Sequence, residues 1–227
     1  MNYYPNKIRI AGIVNMSPQT RQQKIISKKE NILHVAMQLI LENQEEITLD
    51  ELVKELDIAK GTLYKYFRSK NELLLELIIQ NEEKILDLSK EYNRDFPQYI
   101  TAYMLYHLQH PRKTILLHQI EESLTMTETS LNHLFDKLYQ VRQERIAGVR
   151  DITLDYLKQM NYELPLRDYL SYLWSITFGA CLLLNSSYYQ RSIGSREDLI
   201  KLYINQALAV PTQSVNLDAF ENVATDE

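Results

Sequence analysis

Apolar residues recur along this chain at i, i+3, i+4 and i+7, the spacing that lines one face of an α-helix, and nowhere alternate for long as a half-buried strand requires. Ile32, Leu33, Ala36, Met37 and Ile40 form one such face, and Leu74, Leu77, Ile78, Ile85 and Leu88 form a longer one over about 70–91. Proline punctuates the pattern. Pro5 and Pro18 lie in a leader, Pro97, Pro111 and Pro165 stand ahead of periodic stretches, where a first helical turn tolerates a missing N–H, and Pro211 closes the last unit. Further units fall near 97–109, 112–123, 128–160, 166–188 and 195–209. The expectation is an all-α chain of about nine helices.

One unit is apolar on nearly every face. Residues 166–188 carry Leu170, Leu173, Trp174, Ile176, Phe178, Leu182, Leu183 and Leu184, so this helix must be covered all round by its own domain or by another chain. Its uncharged run, 169–184, falls short of the roughly 20 residues that span a bilayer. It reads as a buried helix, with no membrane association.

A second stretch is unusual for its polar residues. In "ITLDELVKEL", Thr48 can cap a short helix with Leu49, Leu52, Val53 and Leu56 on its apolar side. "DIA" then makes a three-residue turn, Asp57 being one of the few non-glycine residues that tolerates a left-handed conformation. "KGTLYKYF" begins a second short helix, completing a helix-turn-helix. Ile58, Leu63 and Phe67 can pack inward, which leaves Lys60, Gly61, Thr62, Tyr64 and Lys65 outside, near the end that enters a major groove in such motifs. Gly61 lets a backbone approach closely, and Tyr64, Tyr66 and Lys70 suit flanking phosphates.

Charge sharpens this reading. The 227-residue chain has a formal net charge of -5, yet residues 1–70 hold 11 Lys and Arg against 8 Asp and Glu, while residues 71–227 hold 14 against 22. The basic end is the candidate for a polyanionic partner. The leader up to residue 29 contains Lys7, Arg9, Arg21, Lys24, Lys28 and Lys29 and no acid; it reads as an arm for a minor groove or as a solubilising extension. The single Cys181 cannot make an internal disulfide, and the N-terminus lacks the basic and apolar regions of a signal peptide. A cytoplasmic location is expected.

The stretch "TLDELVKELDIAKGTLYKYFRSKNELL" resembles the signature of the TetR family of bacterial one-component transcription regulators, densely over 48–74 and more weakly back to about residue 28. The resemblance implies an N-terminal three-helix DNA-binding domain and a C-terminal helical domain for effector binding and dimerisation. By it, Thr48, Tyr64, Tyr66 and Lys70 hold phosphates, and Lys60, Gly61 and Thr62 face base edges. Two positions depart from the pattern: Asp57 where glycine is common, and Ala59 where a small hydroxyl residue caps the recognition helix. Asp50 would also point toward DNA, where an acid repels phosphate but can accept from a cytosine amino group.

The implied organisation is a basic extension over 1–27, the helix-turn-helix domain over 28–72, the effector and dimer domain over 73–211, and a frayed tail over 212–227. Candidate pocket residues are Tyr103, Met104, His107, Phe135 and Tyr139, suited to a small, largely apolar effector. Leu173, Trp174, Leu202 and Tyr203 are the candidate dimer residues, on the helices that pair subunits in the family. His107 and His110 stand close enough to share a metal but lack further ligands, so no metal or other cofactor is expected. No phosphate-binding glycine loop, HExxH or GxSxG occurs, and Cys181 sits in the apolar helix, which argues against an enzyme. The expected function is a homodimeric repressor released from a palindromic operator in double-stranded DNA by a small molecule, through a population shift carried by the helix over 70–91. An activator or ligand-independent regulator, and a helical carrier or enzyme with an incidental basic helix, stand as alternatives.

Overall fold

The computed structural model describes residues 18–43, 47–162, 164–192 and 195–209. The expected tail over 212–227, Pro211, and Lys7 and Arg9 of the leader lie outside these residues. Ten helical segments and no strand occur among the described residues, two of the segments being single turns. They fall into two compact units, divided between Arg68 and Ser69.

The first unit contains α1 (Pro18–Asn43), α2 (Leu49–Glu55) and α3 (Lys60–Leu63). Helix α1 starts ten residues before the boundary drawn from sequence at residue 28, so Lys24, Lys28 and Lys29 are helical. Ile32, Ala36, Ile47 and Leu52 are fully buried, and Leu63 and Phe67 nearly so. The Lys29 ammonium lies over the Phe67 ring, 5.4 Å from its centroid, covering the outer edge of this small core with a cation.

The second unit contains α4 (Lys70–Glu91), α5 (Phe96–Leu108), α6 (Pro111–Thr127), α7 (Asn132–Gln159), α8 (Leu166–Asn185), α9 (Tyr189–Ser192) and α10 (Arg196–Leu208). Ser69 and Asp95 cap α4 and α5 through their side chains, and Pro97 and Pro111 sit at first-turn positions, as their fixed φ and absent N–H favour. Helix α4 packs along α7, α6 packs along α8, and α5 touches α4, α6, α7, α8 and α10. The central position of α5 explains its composition, because Tyr99, Ile100, Tyr103, Met104 and Leu108 are all buried.

Buried and half-buried tyrosines do polar work here. The hydroxyls of Tyr172, Tyr169 and Tyr156 donate to the carbonyls of Gln206, Ala207 and Leu208 at 3.0, 2.9 and 3.0 Å, which satisfies the carbonyls at the end of α10 that have no intrahelical partner. Arg196 Nη2 does the same for α5, donating to the carbonyls of Leu108 and Gln109 at 3.1 and 3.2 Å.

Helix α8 is not covered all round. Tyr169, Leu173, Thr177, Ala180, Cys181 and Leu184 face the interior, while Leu182 is 48% exposed and Trp174 37% exposed. Leu202 on the adjacent α10 is 53% exposed. No helix among the described residues is long and apolar enough to cross a membrane.

Candidate functional site

The helix-turn-helix is built by local chemistry. Thr48 starts α2 with a reciprocal capping box: its Oγ1 accepts from the Glu51 N–H (3.2 Å), and Glu51 Oε2 accepts from the Thr48 N–H (2.8 Å). The Thr48 hydroxyl also donates to Glu51 Oε2 (2.8 Å), so the hydroxyl expected to meet a phosphate is engaged at the cap. The far end of α2 closes in a Schellman motif. The Ile58 N–H reaches the Val53 carbonyl (3.1 Å) and the Asp57 N–H the Lys54 carbonyl (3.2 Å), which requires Asp57 to adopt φ 49°. This is the left-handed turn that the sequence implied.

Helix α3 follows without a side-chain cap, since Ala59 occupies the N-cap with extended backbone and no hydroxyl to offer. Successive i→i+3 and i→i+4 hydrogen bonds continue the turn to Phe67. Leu63 and Phe67 anchor it inward. Gly61, Tyr64, Lys65 and Arg68 are exposed, Thr62 and Tyr66 are half-buried, and a Cβ built on Gly61 would meet nothing within 4 Å. Nothing inside the chain therefore requires glycine at this place; an incoming surface would.

Lys60 does not stand alone. Its Nζ donates to Asp50 Oδ1 at 2.8 Å, tying the first residue of α3 to the first turn of α2. The hydrogen bond and charge of Asp50 raise the Lys60 pKa above its ordinary value. Seven of the eight sequence candidates, Thr48, Lys60, Gly61, Thr62, Tyr64, Lys65 and Tyr66, lie in the first unit; Lys70 opens α4 in the second.

The second unit holds a cavity of about 280 Å³ that is partly open to solvent. Tyr103 and His107 of α5 line it together with His118 of α6 and Trp174 of α8. The other wall is charged: Glu82 from α4, Glu121 and Glu122 from α6, and Arg142 and Arg145 from α7. Arg142 holds Glu121 by two hydrogen bonds, one of them Nη2 to Oε2 at 2.8 Å, and Nη2 also donates to Glu82 Oε1 at 3.1 Å. Burial alone would lower the Arg142 pKa, but the hydrogen bonds and charges of Glu121 and Glu82 hold it above its ordinary value.

Three of the five pocket candidates lie elsewhere. Met104 is fully buried in the core, Tyr139 is 64% exposed on α7, and Phe135 is half-buried away from the cavity. Phe135 and Arg142, seven residues apart, share one side of α7, so position along the helix leaves Phe135 out of the lining, whereas Tyr139 is turned to the exposed side. The lining of this cavity is charged along one wall and aromatic along the other. Leu173, expected at the dimer surface, is buried in its own chain's core, while Leu202 is exposed and Tyr203 half-buried.

Glu82, Arg142 and Arg145 escaped the sequence reading, though a signal existed. Glu82 stands four residues after Ile78 and three before Ile85, a charge in the phase of a buried face. His107 shares a hydrogen bond with Thr114 Oγ1 (3.1 Å), and burial takes its pKa down to about 3, so it is neutral at ordinary pH. His110 is exposed at the N-cap of α6, and no group of three or more potential metal ligands occurs among the described residues. Cys181 is buried, and desolvation pushes its thiol up to about 12, far from nucleophilic.

Comparison with known proteins gives concordant results. Residues 32–77 match the family described as bacterial regulatory proteins, tetR family. The HTH-type transcriptional regulator AcrR of Shigella flexneri is 27% identical over 111 residues; the match spans 48% of this chain and about half, 47%, of that relative. Among solved structures, the TetR family transcriptional regulator PfmR from Thermus thermophilus superposes with a TM-score of 0.60 at 17% identity, covering 78% of this chain and 97% of that one. The transcriptional regulator FadR from Bacillus subtilis, solved in complex with stearoyl-CoA, gives 0.56 at 15% identity, with 82% and 98% covered. These likenesses establish a shared fold, and the match over 32–77 covers part of α1, all of α2 and α3, and the first residues of α4. Residues 32–77 are thus similar to the tetR family of bacterial regulatory proteins, and the fold is that of the solved regulators it resembles.

Proposed function

We propose that this chain is a sequence-specific DNA-binding transcription regulator, a homodimeric repressor that leaves a palindromic operator when a small molecule occupies the cavity of the second unit. The observation that carries the reading is the exposed face of α3, where an open glycine, Gly61, lies between Lys60 and the Thr62–Lys65 turn. A glycine with free space around its missing Cβ permits close approach to a base edge, and basic and phenolic neighbours supply phosphate contacts.

Dimerisation follows from valence. One short helix-turn-helix binds weakly, and two on half-sites about one helical turn apart multiply the affinity. Leu182 and Leu202, large apolar side chains exposed on adjacent helices, are the natural centre of such a contact. The cavity supports effector control, as does the chain path, because α4 begins directly after Arg68 and Ser69 and carries Glu82 on the cavity wall. A ligand that favours one arrangement of the cavity helices shifts the DNA-competent population.

The test is fluorescence anisotropy of a labelled duplex across a salt series, with random DNA as competitor. The reading expects affinity that falls steeply with salt, and Tyr64→Ala that weakens all duplexes alike. Affinity independent of salt would instead favour a helical carrier with an incidental basic helix.

A further inference from the structure

Among the described residues, three buried side-chain atoms lack any hydrogen-bond partner: Glu82 Oε2, His107 Nε2 and Arg145 Nε. They come from three different helices, and all three residues line the same cavity. Unpaired buried polar atoms are rare because each forfeits its hydration without return. Three converging on one space mark a site shaped for ligand atoms.

Their chemistry defines those atoms. Arg145 Nε–H needs an acceptor, and Glu82 Oε2 needs a donor. Arg145 Nη2 lies 4.0 Å from Glu82 Oε2, too far for a hydrogen bond, so donor and acceptor stand side by side without satisfying each other. A group that carries a carbonyl and an N–H on adjacent atoms bridges them. His107 Nε2 offers a third contact beside it.

Charge narrows the class further. The buried charges of Arg142, Arg145, Glu82 and Glu121 cancel, His107 is neutral, and Glu122 is exposed. Arg142 is already engaged by both carboxylates. A ligand with net charge would lose its hydration shell and meet no uncompensated counter-ion. The remaining wall is aromatic, with Trp174 edge-on to His107 (centroids 5.8 Å) and to His118 (6.2 Å). We infer that the cavity takes a formally neutral, flat aromatic ligand bearing an adjacent carbonyl and N–H, the aryl carboxamide or lactam class. This deepens, and rests on, the reading of the cavity as the effector site.

The chain has one tryptophan, Trp174, and it lines the cavity, so its fluorescence reports occupancy directly. The full chain is titrated with four probes of similar size: benzamide, benzoate, benzylammonium and toluene. The expected result is a saturable change with benzamide, at least about tenfold tighter than with the other three. Glu82→Gln, checked for native helicity, should weaken benzamide about tenfold and improve benzoate, since it removes one negative charge and one acceptor. Tighter binding of benzoate, benzylammonium or toluene than of benzamide, or no saturable response to benzamide, overturns the inference. Operator release is measured separately: benzamide that binds without releasing DNA leaves the ligand class standing and removes the effector reading.

Discussion

Lys60 Nζ lies 2.8 Å from Asp50 Oδ1, so the first residue of α3 is held by an acid from the helix before it. Both side chains are exposed, which makes the pair a minor contributor to stability and a major determinant of where the ammonium points. Asp50→Asn removes a negative charge from the face proposed to meet DNA and releases Lys60. Affinity for DNA of any sequence should rise several-fold, and the slope of log affinity against log salt should steepen by about one unit. Lys60→Ala should alter the preferred sequence more than the overall affinity; a uniform loss across duplexes would move Lys60 from the base edges to the phosphates.

Gly61 separates folding from binding. Because a Cβ there meets nothing, Gly61→Ala should stabilise α3 by about 0.5–1 kcal/mol, the usual gain for alanine over glycine in a helix. The same methyl group would stand between the helix and a base edge. Thermal melts and duplex titrations should therefore move in opposite directions, and an unchanged DNA affinity would place the groove contact elsewhere.

The turn between α2 and α3 carries two improvable positions. Asp57 sits at φ 49°, where glycine is unstrained, and Ala59 occupies an N-cap with no side-chain acceptor. Ala59→Ser should add about 1 kcal/mol and raise Tm by about 2–4 °C, with Asp57→Gly adding a smaller increment. Melting the double variant against each single one tests whether these neighbouring effects add.

His107 makes stability depend on pH. Its folded pKa is about 3 against an ordinary 6.5, through burial first and the charges of Arg145 and Lys113 second. The unfolded chain therefore takes up a proton before the folded one does, and stability falls as pH drops from about 6.5 toward 3. His107→Gln should flatten the Tm profile in that window, a comparison that removes the carboxylates' shared contribution.

Much of the fold is legible in the chain itself. Helix positions follow from apolar periodicity and proline, and the left-handed Asp57 and uncapped Ala59 from the turn pattern, since local hydrogen bonding decides each of them. The cavity is not legible. Tyr139 and Phe135 resemble pocket residues by type, yet tertiary packing decides which stretch of α7 borders the cavity, and that stretch carries Arg142 and Arg145. The Lys60–Asp50 pair joins residues ten apart across a turn, and only the placement of α3 against α2 brings it about. Leu173 and Trp174 are adjacent in sequence, yet one is in the core and the other at a cavity wall, a difference of one helical step that composition does not resolve.

Whether a dimer reads a palindrome is decided by selecting bound duplexes from a random-sequence pool with the full chain. The expected outcome is enrichment of an inverted repeat with half-sites about one helical turn, or a multiple of it, apart. Enrichment of no sequence, with retention insensitive to salt, would contradict it.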